Sequence, residues 1–249
     1  LSPSVPAHEV DLEALARFVV SRGGWRYDKI PCMYHSAVAR HIPDKIRKMT
    51  GRVFHSTQPD VFMSLALPVF SKKAINVGFS VTVYGLSSKS NSSSSIANDG
   101  AKALEKFLQE YGDYKIHPTL FPGMTKYANL IPDAILVAMD KFPQFYGRMK
   151  FNYNAMWAYT CRWQTFFKWK ISAWEIVQKR REIRHYHSFN IPQFLFYLTI
   201  HKLAVLRIKI LDLVTPLWPF AKVTPDNIYD FVYDFVRALT QEKNYDIVK

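Results

Sequence analysis

Residues 51–67 read GRVFHSTQPDVFMSLAL, and they set the pattern for the first half of the chain. Ser56, Thr57 and Pro59 are helix-opening residues placed directly before the apolar run Val61 to Leu67, so a helix is expected to begin near Asp60. The carboxylate of Asp60 then stands at the positive end of that helix's dipole. On the upstream side Arg52 to Phe54 reads as a brief strand. Gly51 reads as the C′ residue of a preceding helix, which has Pro43 and Asp44 in its first turn and Ile46 and Met49 facing inward. Further back lie a short extended piece, Ile30 to Tyr34, and an apolar-periodic helix through Leu12, Leu15, Phe18 and Val19. Asp11 is its N-cap and the Gly23-Gly24 pair its end.

Downstream of Leu67, residues 74–83 (AINVGFSVTV) alternate and are rich in β-branched side chains, which predicts a strand. Ser87 to Ser95 is low-complexity serine and reads as a loop, and from Asp99 helical periodicity resumes through Ala103, Leu104, Phe107 and Leu108. Beyond about residue 140 the pattern is helical and aromatic with no further strand. Thr224-Pro225-Asp226 opens a last helix carrying Ile228, Phe231, Val232, Phe235 and Leu239. The fold class expected is helix-rich mixed α/β, with one mixed portion over 1–140 and a helical, basic and aromatic portion over 141–249.

The formal charge of +13 is concentrated. Residues 141–209 hold 13 Lys and Arg against two acids, Glu175 and Glu182. Such a stretch attracts phosphate, whether of a nucleotide, a nucleic acid or an anionic membrane. No apolar run reaches the roughly 20 residues a spanning helix needs, since Ile191 to Ile200 is stopped by His201 and Lys202. A surface-lying helix over 191–214 would group Thr199, His201, Lys202, Lys209 and Asp212, but Leu198 and Val205 interrupt that side. The two cysteines, Cys32 and Cys161, are far apart and set among apolar residues, which suggests neither a disulfide framework nor a zinc set and fits a reducing compartment. The chain opens on Leu1 without a secretory signal and reads as a piece of something longer.

Polar signatures fall at the ends of the expected elements: Tyr34-His35-Ser36, then His55 to Asp60, then Ser87 to Asn91. In order, they resemble the second half of a bacterial-type family 2 glycosyltransferase of the nucleotide-sugar-dependent GT-A class. In that family a proline and an aromatic-His pair precede a helix, as Pro31, Tyr34 and His35 do. A Gly-Arg-x-Phe strand then leads into Ser-x-x-Pro-Asp, as in Gly51 to Phe54 and Ser56 to Asp60. A Gly-x-Ser-x-x-Ser-Asn loop follows, similar to Gly85, Ser87, Ser90 and Asn91. Where the family loop has His-Ser-Asn-Gly, this chain has Lys89-Ser90-Asn91-Ser92.

The resemblance implies a partial GT-A-like mixed sheet and sugar transfer from a nucleotide-sugar donor to a hydroxyl of a glycan or lipid-linked acceptor. Asp60 would be the general base that takes the acceptor proton. Tyr34, His35, Ser87, Ser90 and Asn91 would contact donor or acceptor, and His35 is also a candidate metal ligand. The family's Asp-x-Asp, which holds a divalent cation (Mn2+ or Mg2+) and the donor diphosphate, does not occur in the chain. That half of the site, and most of the cation's ligands, are therefore expected outside these residues, and the chain alone is expected to be inactive. A cytoplasmic place is implied, with peripheral contact at the inner face of an anionic membrane.

Each of these residues also has a plain structural reading. Asp60 can serve as a dipole partner, His35 as a surface residue, His55 as a solvent-facing strand end, and the serine run as a linker. Arg40, Arg47 and Lys48 can steer a phosphorylated donor or only solvate a helix. Trp157, Trp163, Phe166, Phe167, Trp169 and Trp174 fit a helix core better than a sugar-stacking platform. Lys179-Arg180-Arg181 with Arg184 fits an anionic lipid surface or a solvated face. Two other functional classes stand beside the enzyme. A nucleic-acid module has the basic charge but none of the recognition motifs, so nucleic acid is not the expected partner. A non-catalytic docking piece for a membrane or subunit is the third.

Overall fold

The computed structural model describes residues 7–77, 109, 115–123, 126–163 and 172–214. The chain clusters into two compact units, Leu1–Ala204 and Val205–Lys249. Within the second unit the described residues, 205–214, are helical.

The architecture is helix-rich with one small sheet among the described residues. Strand β1 (His8–Asp11) pairs antiparallel with β2 (Lys73–Asn76), His8 opposite Asn76 and Asp11 opposite Lys73. The predicted strand over 74–83 is thus met at its start, and its remainder from residue 78 lies outside the described residues, as do the helices expected from Asp99 and Thr224. β1 was not foreseen because His-Glu-Val-Asp carries no apolar alternation and is mostly exposed.

Helix α1 (Leu12–Ser21) starts where expected. Asp11 Oδ1 accepts the Ala14 N–H at 2.9 Å, and Leu12, Ala16, Val19 and Val20 form the buried stripe. Its end is set by close approach. Gly23 has φ of +63°, and a Cβ there would lie 2.2 Å from the backbone nitrogen of Met156 and 2.6 Å from the Asn152 carbonyl oxygen. Only a glycine lets the chain turn at this distance from the segment that carries Asn152.

Helix α2 (His41–Thr50) buries Ile42 and Ile46 and closes on Gly51, which has φ of +84° and donates its N–H to the Arg47 carbonyl at 2.8 Å. Met49, expected inward, is half exposed. The expected strand over Arg52 to Phe54 is a bend, and Ile30 to Tyr34 leads into a turn instead of a strand. Helix α3 (Pro59–Phe70) opens on its proline as predicted. Val61 to Pro68 are all buried, so it is an interior helix covered on every side.

Helix α4 (Lys126–Lys141) packs along α3 and supplies Ala134, Ile135, Leu136 and Ala138 to the core. The short helix α5 (Pro143–Tyr146) locks against α3 where the Tyr146 hydroxyl donates to the Leu65 carbonyl. Helix α6 (Tyr153–Trp163) follows. The Asn152 side chain accepts the Ala155 N–H at 3.0 Å and donates to the Tyr197 hydroxyl at 2.9 Å, which ties it to the later helix α9 (Ile191–Val214). Between them lie α7 (Ala173–Gln178), capped by Ser172, and α8 (Arg180–Ile183). Trp157, Ile176, Ile183, Phe189 and Phe194 from these segments join the same core as α1, α3 and α4. Among the described residues no helix is long and apolar enough to cross a membrane.

Candidate functional site

Asp60 is placed by the opening of α3, in the first turn, where unpaired backbone N–H groups favour a carboxylate. It is half-buried. Its surroundings are shown by the groups that feel its charge. The Tyr27 phenol is pushed well above its ordinary range, chiefly by burial and then by Tyr159 and Asp60. The Cys32 thiol is raised by burial, with Asp60 adding to the effect against the opposing backbone N–H of Tyr34. The charge of this carboxylate thus reaches Cys32, the residue that opens the turn containing Tyr34 and His35. That turn is organised around Cys32, whose carbonyl accepts the His35 N–H at 3.0 Å and the Ser36 hydroxyl at 2.6 Å. Tyr34 and His35 are exposed on it. Among the described residues no group of three or more His, Cys, Asp or Glu gathers as a metal site, at His35 or elsewhere. Ser87, Ser90 and Asn91 lie outside the described residues.

The Gly51–Ser56 segment belongs to a different feature, an open cleft of about 800 Å3 that Asp60 does not line. One wall is Thr50, Gly51, Arg52, His55 and Ser56, and the other is residues 115–118 with Val137 and Lys141 from α4. His55 is only 4% exposed, which corrects the expectation that it faces solvent. Its Nδ1 accepts from Arg52 Nε at 3.1 Å, so Nε2 carries the proton and donates to Thr50 Oγ1 at 2.9 Å. Burial, then the charges of Arg52 and Lys141, hold this imidazole down to about 4, and it is neutral at pH 7. Ser56 has φ of +64°, an uncommon conformation for a residue with a side chain, and its hydroxyl donates to Asp133 Oδ2 at 2.6 Å.

Asp133 is the joint of the cleft. Wholly buried on α4, it also accepts the His117 backbone N–H on Oδ1 at 2.8 Å and so fixes both walls from one side chain. The second wall is held again by a directed chain. Tyr153 donates to Thr119 Oγ1 at 2.7 Å, Thr119 Oγ1 meets His117 Nδ1 at 2.7 Å, and His117 Nε2 meets the exposed Asp140 at 2.9 Å. Behind it the buried His187 donates from Nδ1 to the Thr119 carbonyl at 2.7 Å and accepts the Trp157 indole N–H on Nε2 at 2.9 Å. That pairing fixes one neutral tautomer, and burial lowers the ring's basicity further. His187 stacks on Tyr153 with centroids 4.1 Å apart.

The cleft residues beyond Gly51, Arg52, His55 and Ser56 were not singled out from the sequence. Asp133 had a readable signal, a carboxylate set among the apolar residues of Ile131 to Met139 on a helix's core side. Lys115, His117 and Lys141 had none, because they meet only through folding. Trp157 is fully buried, which is the core role favoured for the aromatic stripe, whereas Trp174 is 68% exposed. The basic run Lys179 to Arg184 is largely taken up by backbone. Lys179 donates to the Gly123 carbonyl at 2.8 Å, Arg180 to Val177 at 3.0 Å and Arg184 to Phe189 at 3.1 Å. Arg47 pairs with Asp44 at 3.6 Å, and neither it nor Arg40 or Lys48 lines the cleft. No family model, no curated protein and no solved structure matches this chain.

Proposed function

We propose that the chain is the acceptor-side half of a nucleotide-sugar-dependent glycosyltransferase, moving a sugar to a hydroxyl of a glycan or lipid-linked acceptor. The ordered similarity of Tyr34-His35, Gly51 to Phe54 and Ser56 to Asp60 motivates the reading. The observation that carries it is the half-buried carboxylate of Asp60 in the first turn of α3, whose charge reaches Cys32. In the step proposed, Asp60 accepts the proton of the acceptor hydroxyl as its oxygen bonds to the anomeric carbon. The bond from that carbon to the diphosphate breaks, and the nucleoside diphosphate leaves with the electron pair.

A bound divalent cation would neutralise charge developing on the leaving diphosphate. The chain has no Asp-x-Asp and its described residues assemble no donor set for a cation, so the reading gives the cation and the nucleotide to a partner GT-A-like half. It also carries a cytoplasmic location at an anionic membrane face.

In the assembled transferase that this reading requires, Asp60→Asn should lower kcat by at least about 100-fold, the span general-base catalysis supplies, while donor affinity and thermal stability change little. Steady-state transfer assays with a donor-binding titration measure both. Turnover that survives the substitution would remove Asp60 as the base.

A further inference from the structure

The cleft between Arg52 and Lys141 has a charge pattern that the transfer reading does not use. Among the described residues its lining contains three cationic side chains, Arg52, Lys115 and Lys141, and no carboxylate. All three are exposed, and none is ion-paired among the described residues, where each other pairing joins a different base to its acid. The described acids bonded to cleft residues are committed, Asp133 to Ser56 and the His117 backbone and Asp140 to the His117 ring.

Three like charges around one concavity repel one another, and a bound anion relieves that cost. The two rims act on a common centre, since the fields of Arg52 and Lys141 both reach the His55 ring. Arg52 is also oriented, its Nε committed to His55 and its remaining guanidinium N–H groups left for a planar or tetrahedral oxyanion. Ile116, Pro118 and Val137 add apolar lining, and about 800 Å3 is within the size range of small-molecule sites.

We propose that this cleft binds the phosphate or diphosphate group of a small organic ester, with Arg52, Lys115 and Lys141 contacting the oxyanions and Ile116, Pro118 and Val137 the organic part. The site stands whether or not Asp60 is a catalytic base.

The test is calorimetric titration of the full chain with pyrophosphate at fixed ionic strength, with sulfate as the anion control and the His55 imidazole resonances as the local readout. Saturable binding that shifts His55 is expected. Lys115→Gln and Lys141→Gln should each weaken it about tenfold and the double variant abolish it, while Lys72→Gln, away from the cleft, leaves it unchanged. Because the lysines are exposed, the variants should retain the parent Tm. Pyrophosphate binding no tighter than sulfate, or equally tight in the double variant, would overturn the proposal. So would binding of single-stranded DNA or anionic vesicles through Lys115 and Lys141 in the absence of any pyrophosphate binding.

Discussion

Asp133 shows what one side chain can do when it is wholly enclosed. Its two oxygens take the Ser56 hydroxyl and the His117 amide, groups 77 and 16 residues away in sequence. Asp133→Ala leaves both donors without that acceptor, at a cost of about 3 kcal/mol or more. Asp133→Asn keeps an acceptor for His117 and should cost about half as much, as read from urea denaturation of both variants. An alanine variant as stable as the asparagine one would show that the bridge contributes nothing. At this scale the sequence was partly readable. The place of Asp60 at a helix start was legible because Pro59 and the apolar run announce it, and that of Asp133 could have been, as a charge in an apolar register. His55 was misjudged because only tertiary burial under Phe62, with ring centroids 4.7 Å apart, decides that a strand-end histidine turns inward.

The elements that sequence predicted well are those with a local punctuation. Asp11 and Gly23-Gly24 delimit α1, Gly51 closes α2, and Pro59 opens α3, each by a backbone requirement that needs no partner. Arg52 to Phe54 lacked one. Three residues of strand propensity become a strand only if an edge is offered to them, and here they follow a bend from which Arg52 alone of the three lines the cleft. Gly23 is where local and tertiary demands coincide. Gly23→Ala puts a methyl against the backbone of Asn152 and Met156 and should destabilise by about 2–4 kcal/mol. Gly51→Ala, with open space around the same kind of positive φ, should cost only about 1 kcal/mol. Chemical denaturation of the pair separates steric exclusion from conformational strain, and equal losses would mean that the contact between α1 and the Asn152 segment is adjustable.

For the molecule as a whole, the buried titratable groups set a pH window. His55 and His187 are held neutral in the folded state, below the value of 6.5 they take when unfolded. Their contribution is complete above that value and is lost as pH falls from about 6.5 toward 4, since the unfolded chain binds the protons first. Cys161, pushed up by burial to about 12, and Cys32 and Tyr153, also raised, act in the opposite direction. The unfolded thiols ionise near 9, so stability falls again above that pH. Thermal melts across pH 4–10 should show a plateau near pH 7–9, and His187→Gln should flatten the acid limb. An acid limb unchanged by that substitution would place its origin elsewhere. Charge at this scale was legible in amount but not in use, for the basic run after Lys179 holds carbonyls while the cleft gathers its cations from residues 52, 115 and 141.

Thr119 is held from two sides, by Tyr153 through its hydroxyl and by His187 through its carbonyl, and both of those rings belong to the packed interior around Trp157. One bank of the cleft is thus moored to the middle of the protein, not draped over it. Repacking beneath Trp157 would be felt as altered ligand affinity at a distance, and the tips of Lys115 and Lys141 are left as the adjustable part by which selectivity can be tuned without rebuilding the frame.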